Sequence, residues 1–87
     1  MRIIFSEAAW DDYLYWQKTD KKVVQRINEL IKTAIRTPFT GIGKPEPLKY
    51  GKYGFKGYWS RRINAEHRLV YKVQDDSILI AQCRYHY

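Results

Sequence analysis

Glu46 stands between Pro45 and Pro47, with Lys44 and Lys49 as its nearest charged neighbours. Proline fixes its own φ and steers the residue before it toward extended backbone, so the Glu46 carboxylate is presented over a narrow range of angles. An acid flanked by cations suits a general base. His86 is the penultimate residue, an odd place for a core histidine, and a phosphate beside it would favour its proton-donating form. Cleavage of RNA through the neighbouring 2′-hydroxyl needs a base for the hydroxyl proton, a cation for the phosphorane and an acid for the leaving 5′-oxygen. Glu46, Arg68 and His86 supply all three, and no metal or other cofactor is required for that chemistry. A zinc site from Cys83, His67 and His86 is poorly spaced and would sit among repelling cations. His67 reads as a structural polar residue.

Arg68, Arg84 and His86 share the exposed parity of neighbouring late strands, where they can converge in a shallow basic groove. Trp59, Tyr58 and Tyr87 are near enough to offer stacking surfaces. Cations for phosphates interleaved with rings for bases suit single-stranded RNA. The plainer alternatives are a solvated cationic face, aromatics that belong to the core, and a loop glutamate paired to a lysine. The net charge of +7 supports a polyanionic partner. From Lys44 onward nine basic residues face four acids, so the second half is the more basic.

These groups must be positioned by a small fold. A chain of 87 residues argues for one domain, 1–87, with a modest core helped by its 16% of aromatic residues. Arg2 to Phe5 is a short β-prone run, and Ser6 can cap a helix carrying the stripe Ala9, Tyr13 and Trp16, broadened by Trp10 and Leu14. Thr19 and Asp20 break and recap the chain. Val23, Val24, Ile27, Leu30, Ile31 and Ala34 then repeat at helical spacing until Thr37-Pro38 ends the second helix. Pro38 to Pro47 is loop, and Leu48 to Tyr50 opens a strand. Gly51 to Gly57 connects it to strands over Tyr58–Ile63, Arg68–Val73 and Ile78–Tyr85. In the last of these, Leu79, Ala81 and Cys83 fall on one side and Gln82, Arg84 and His86 on the other, but Ile78 and Ile80 share the polar parity. The fold class is α+β: an N-terminal strand, a two-helix hairpin, then an antiparallel meander with the helices on one sheet face.

Five blocks carry a resemblance that runs from end to end. They are Ser6-Glu7 with Trp10 to Trp16, Gly43 to Lys49, Trp59 to Ile63, His67 to Tyr71, and the terminal Cys83-Arg84-Tyr85-His86-Tyr87. Together they closely resemble the YoeB (Txe) toxins of the RelE/ParE superfamily. The resemblance implies a microbial-ribonuclease-like fold and a ribosome-dependent endoribonuclease that cuts messenger RNA in the A site. It implies Glu46 as general base, Arg68 as phosphate-stabilising cation, His86 as general acid and Tyr87 as an aromatic that orients the RNA. Lys49 matches a further cation, and Arg62, Arg84 and Trp59 join the candidate RNA contacts. The implied partners are the ribosome with its mRNA, a YefM-type antitoxin and a second copy in a homodimer. One departure is a segment, Tyr50 to Tyr58, that is longer than the family leads one to expect, carrying Lys52, Tyr53 and Lys56. It suggests a basic hairpin tip for ribosomal RNA or antitoxin.

Three rivals remain at this level: a ParE-like gyrase poison, a non-catalytic RNA-binding module, and a general ribonuclease acting on naked RNA. The completeness of the Glu46, Arg68, His86 and Tyr87 set argues against the first. With Cys83 as the single cysteine, no intrachain disulfide forms. The N-terminus has no signal-peptide layout, and no apolar run nears the ~20 residues of a membrane helix, so a cytoplasmic protein is expected.

Overall fold

The computed structural model describes residues 1–48 and 57–85. Lys49, His86, Tyr87 and all of the expected hairpin except Gly57 and Tyr58 therefore lie outside the described residues. Ser6 caps the first helix as its type predicts: its Oγ accepts the Ala9 N–H at 3.0 Å. The same hydroxyl donates to the Ala81 carbonyl at 2.9 Å, which ties the start of α1 (Glu7–Thr19) to the last strand. Asp20 caps α2 (Lys21–Arg36), its Oδ1 accepting the N–H groups of Lys22 and Val23. The helix buries Val23, Ile27, Leu30, Ile31 and Ala34, the stripe read from its spacing. In α1 the stripe is narrower than expected. Ala9 and Trp16 are buried and Tyr13 packs at the edge, while Trp10 and Leu14 remain exposed.

Among the described residues the sheet has five strands in the order β1-β5-β4-β3-β2. These are β1 (Arg2–Phe5), β2 (Glu46–Pro47), β3 (Trp59–Arg62), β4 (Arg68–Gln74) and β5 (Ser77–Gln82). β1 runs parallel to β5, and the other pairs are antiparallel. Both helices contribute to one core with Leu69, Tyr71, Ile78, Ile80 and Cys83, so one face of the sheet is covered by helix. The α+β class is as the sequence pattern implies.

Three details differ from that pattern. The first strand after the loop falls at Glu46–Pro47 rather than at Leu48, because Glu46 pairs with Ser60. As an edge strand it tolerates a proline, which has no N–H to donate. Leu48 extends the pairing by donating its N–H to the Tyr58 carbonyl at 2.9 Å. The last strand ends at Gln82 instead of Tyr85. Its conflicting parity is resolved by a register shift: Val70 faces Gln82, but the next residue, Tyr71, faces Ile80. Ala81 is the extra residue of a bulge, which flips the alternation. Ile78, Ile80 and Cys83 therefore all reach the core. Among the described residues, no helix is long and apolar enough to cross a membrane.

Candidate active site

Cross-strand partners share a sheet face. By that rule Glu46 on β2, Ser60 and Arg62 on β3, and Arg68 on β4 lie together on the face away from the helices. Arg68 Nη1 donates to Glu46 Oε1 at 3.2 Å and reaches Ser60 Oγ at 3.4 Å. The Arg68 side chain is 13% exposed and that of Glu46 53%, so the carboxylate faces outward over a well-covered guanidinium. Arg62 is exposed directly opposite Arg68. Two like charges in register repel, which makes the spot receptive to an anion. Lys72 Nζ lies 5.6 Å from the centre of the Tyr58 ring.

The segment that precedes His86 is fastened from two sides. On the helical side, the Cys83 N–H donates to Asp12 Oδ2 at 3.0 Å and the Cys83 carbonyl accepts from Trp16 Nε1 at 2.8 Å. Burial lifts the Asp12 carboxyl above its ordinary value, a tendency opposed by the Cys83 N–H and by the charge of Arg84. Burial also pushes the Cys83 thiol up to about 12, with Asp12 adding to the effect. On the sheet side, the Arg68 N–H donates to the Tyr85 carbonyl at 3.1 Å, and the Tyr85 N–H donates to His67 Nδ1 at 2.7 Å. Arg68 thus touches both halves of the site: its side chain holds Glu46 and its backbone holds the residue before His86.

Other candidates take different places. The Arg84 guanidinium lies 3.5 Å from the centre of the Tyr15 ring on α1 and 4.5 Å from that of Tyr85, rather than beside Glu46. Trp59 pairs with Tyr71, packs against the core and meets Phe39 at 4.7 Å between ring centres. It is therefore on the helix-covered face, opposite Glu46. Arg61, one of the nine basic residues from Lys44 onward, is fully buried. Its donors reach the carbonyls of Thr37 (2.6 Å), Thr40 (2.8 Å) and Ile42 (2.9 Å) and the hydroxyl of Tyr71 (3.0 Å). Burial raises the Tyr71 phenol, which stays protonated and donates to the Pro38 carbonyl. This cluster folds the 37–43 loop under α2. Gly43, at φ +83, is needed there because a Cβ would sit 2.8 Å from Leu30 Cδ2. Ser60 was missed as a partner of Arg68. Strand alternation puts Ser60 on the same face as Arg62.

A family model described as the YoeB-like toxin of bacterial type II toxin-antitoxin systems matches residues 5–87. The chain belongs to this YoeB-like toxin family. It is 67% identical to the toxin YoeB of Escherichia coli K12 over the full length of both chains. The Staphylococcus aureus YoeB dimer matches with a TM-score of 0.91 at 55% identity, over 100% of this chain and 98% of that one. The heterotetrameric YoeB-YefM complex from the same organism matches with a TM-score of 0.88, at the same identity and coverage. The resemblance read from the five sequence blocks is therefore correct. Among the described residues of this YoeB-like toxin, no group of three or more His, Cys, Asp and Glu side chains is placed to hold a metal.

Proposed function

We propose that this YoeB-like toxin is a ribosome-dependent endoribonuclease that cuts messenger RNA in the A site and so stops translation. The observation that carries the reading is the Glu46–Arg68 contact at 3.2 Å on the open face of the sheet, beside the anchored segment that leads to His86. Glu46 takes the proton of a ribose 2′-hydroxyl, whose oxygen then bonds to the adjacent phosphorus. Arg68 spreads five donors in a fixed fork, so it can keep a grip on Glu46 while turning others to the phosphorane oxygens. The bond from phosphorus to the 5′-oxygen breaks, and His86 gives that oxygen its proton. The products are a 2′,3′-cyclic phosphate, which water can open to a 3′-phosphate, and a free 5′-hydroxyl. No step calls for a metal. Tyr87 orients the RNA, and Lys49 and Arg62 add cationic contacts to the phosphates.

The same reading assigns a YefM-type antitoxin and a homodimer as partners. The S. aureus relatives, a dimer and a toxin-antitoxin complex, support both. A primer-extension map of a defined message in a reconstituted translation system tests the activity. Wild type should give cuts at A-site codons only when ribosomes are present. Glu46→Ala and His86→Ala should abolish them. Intact message with folded wild-type protein would reject the nuclease and turn attention to gyrase.

A further inference from the structure

Tyr85 hands the chain on to His86, and it does so at φ +66. A left-handed conformation is uncommon for a bulky residue and persists where neighbours over-determine it. Two hydrogen bonds from adjacent residues of one strand entrance do this. The Tyr85 carbonyl accepts the Arg68 N–H, and the Tyr85 N–H is received at 2.7 Å by His67 Nδ1. An imidazole can accept at Nδ1 only when its proton rests on Nε2, so the bond also fixes the His67 tautomer. The ring is held edge-on to Trp16, 4.8 Å between centres, and Trp16 itself grips the Cys83 carbonyl. The Tyr85–His67 bond is solvent-exposed. Water would satisfy that N–H equally well, so what the histidine adds is direction rather than polar satisfaction.

We infer that His67 is a positioning residue for the proposed nuclease: by accepting the Tyr85 N–H it fixes the backbone direction of Tyr85, the residue that precedes the proposed acid. This role rests on the nuclease reading, in which His86 is the acid. His67 touches no reacting atom in it. It acts through Tyr85, on the opposite side of Arg68 from Glu46.

Two substitutions separate aim from packing. His67→Asn keeps an acceptor where Nδ1 was and gives up the ring. His67→Phe keeps a ring against Trp16 and puts C–H where the lone pair was. His67→Leu, smaller and equally without an acceptor, gives the same comparison if the phenyl ring does not fit. The readouts are the single-turnover cleavage rate on ribosome-bound message, the affinity for ribosomes and the thermal midpoint. His67→Phe should cleave about tenfold to a hundredfold more slowly with ribosome affinity little changed, because misaligned groups lose rate rather than binding. His67→Asn should recover most of the rate even where its midpoint is the lower of the two. A Phe variant that cuts as fast as wild type, or an Asn variant as slow as Phe, would overturn the role. Wild-type protein that leaves message intact would instead reject the nuclease itself, and this role with it.

Discussion

Arg61 on β3 and Arg68 on β4 are the same residue type on opposite faces of one sheet, and they live in different company. Arg61 is fully buried among three backbone carbonyls and a phenol. Those partners belong to the chain itself and cannot leave. Arg68 holds a carboxylate that is about half exposed and that a substrate can approach. A guanidinium surrounded by fixed acceptors is a structural pin, whereas one that shares an open face with a carboxylate is available for chemistry. Counting cations along the sequence cannot separate the two, but the strand face can.

The largest effect should come from the open face. Arg68→Ala is expected to lower ribosome-dependent cleavage by roughly 10²–10³-fold, the usual cost of removing a preorganised charge from a transition state. Its thermal stability should shift little, since partly exposed ion pairs contribute about 0–1 kcal/mol. Equal loss of fold and activity would erase the contrast. Arg61→Ala should do the reverse and destabilise by roughly 3 kcal/mol in urea titration, because it takes the guanidinium donors away from three carbonyls and a phenol at once. Arg61→Lys should rescue only part of this, as an ammonium cannot reproduce the fork.

Smaller effects sharpen the boundary between the faces. Asp12→Ala leaves the Cys83 N–H without its acceptor and should cost about 1–3 kcal/mol. Asp12→Asn keeps an acceptor and removes the half-buried charge. The folded carboxyl of Asp12 lies above its ordinary value. Between the two values the native state holds more protons than the unfolded chain, so this group's contribution falls as pH rises and stays low above that window. The stability of Asp12→Asn relative to wild type should therefore climb with pH through the window and then level off. A difference independent of pH would contradict the assignment. Smallest of all, Cys83 should resist iodoacetamide at pH 8 in the native protein and react once unfolded, since its buried thiol is pushed up to about 12. Rapid native labelling would mean that the helix-covered face is not closed.

Much of this was legible in the residues. The apolar repeat of α2, the caps Ser6 and Asp20, and the alternation of β4 each follow from local rules, and each is where those rules put it. The Glu46–Arg68 partnership was implied only by type and by resemblance, because the contact crosses β3 and depends on a register that no local rule sets. The burial of Arg61 follows from a rule that the sequence does contain. Adjacent strand residues point opposite ways, so of Arg61 and Arg62 one had to face the helices. Trp59 shares the parity of Arg61 and went inward with it. The contradictory parity of Ile80 and Cys83 was itself the trace of the Ala81 bulge. The bonds that fasten residues 83–85 to Asp12, Trp16 and His67 span up to 71 positions, beyond the reach of spacing arguments.

The parallel pairing of β1 with β5 has a consequence for how the protein is made. Among the described strands, the first to leave the ribosome has as its sheet neighbour the last to be synthesised. Until the codons for Ser77–Gln82 have been read and that segment has cleared the exit tunnel, Arg2–Phe5 has no strand to join. Over the same interval Ser6, Asp12 and Trp16 lack their partners at Ala81 and Cys83. Assembly of this sheet therefore waits for the last of its described strands. A product that stops before Ser77 cannot assemble this sheet.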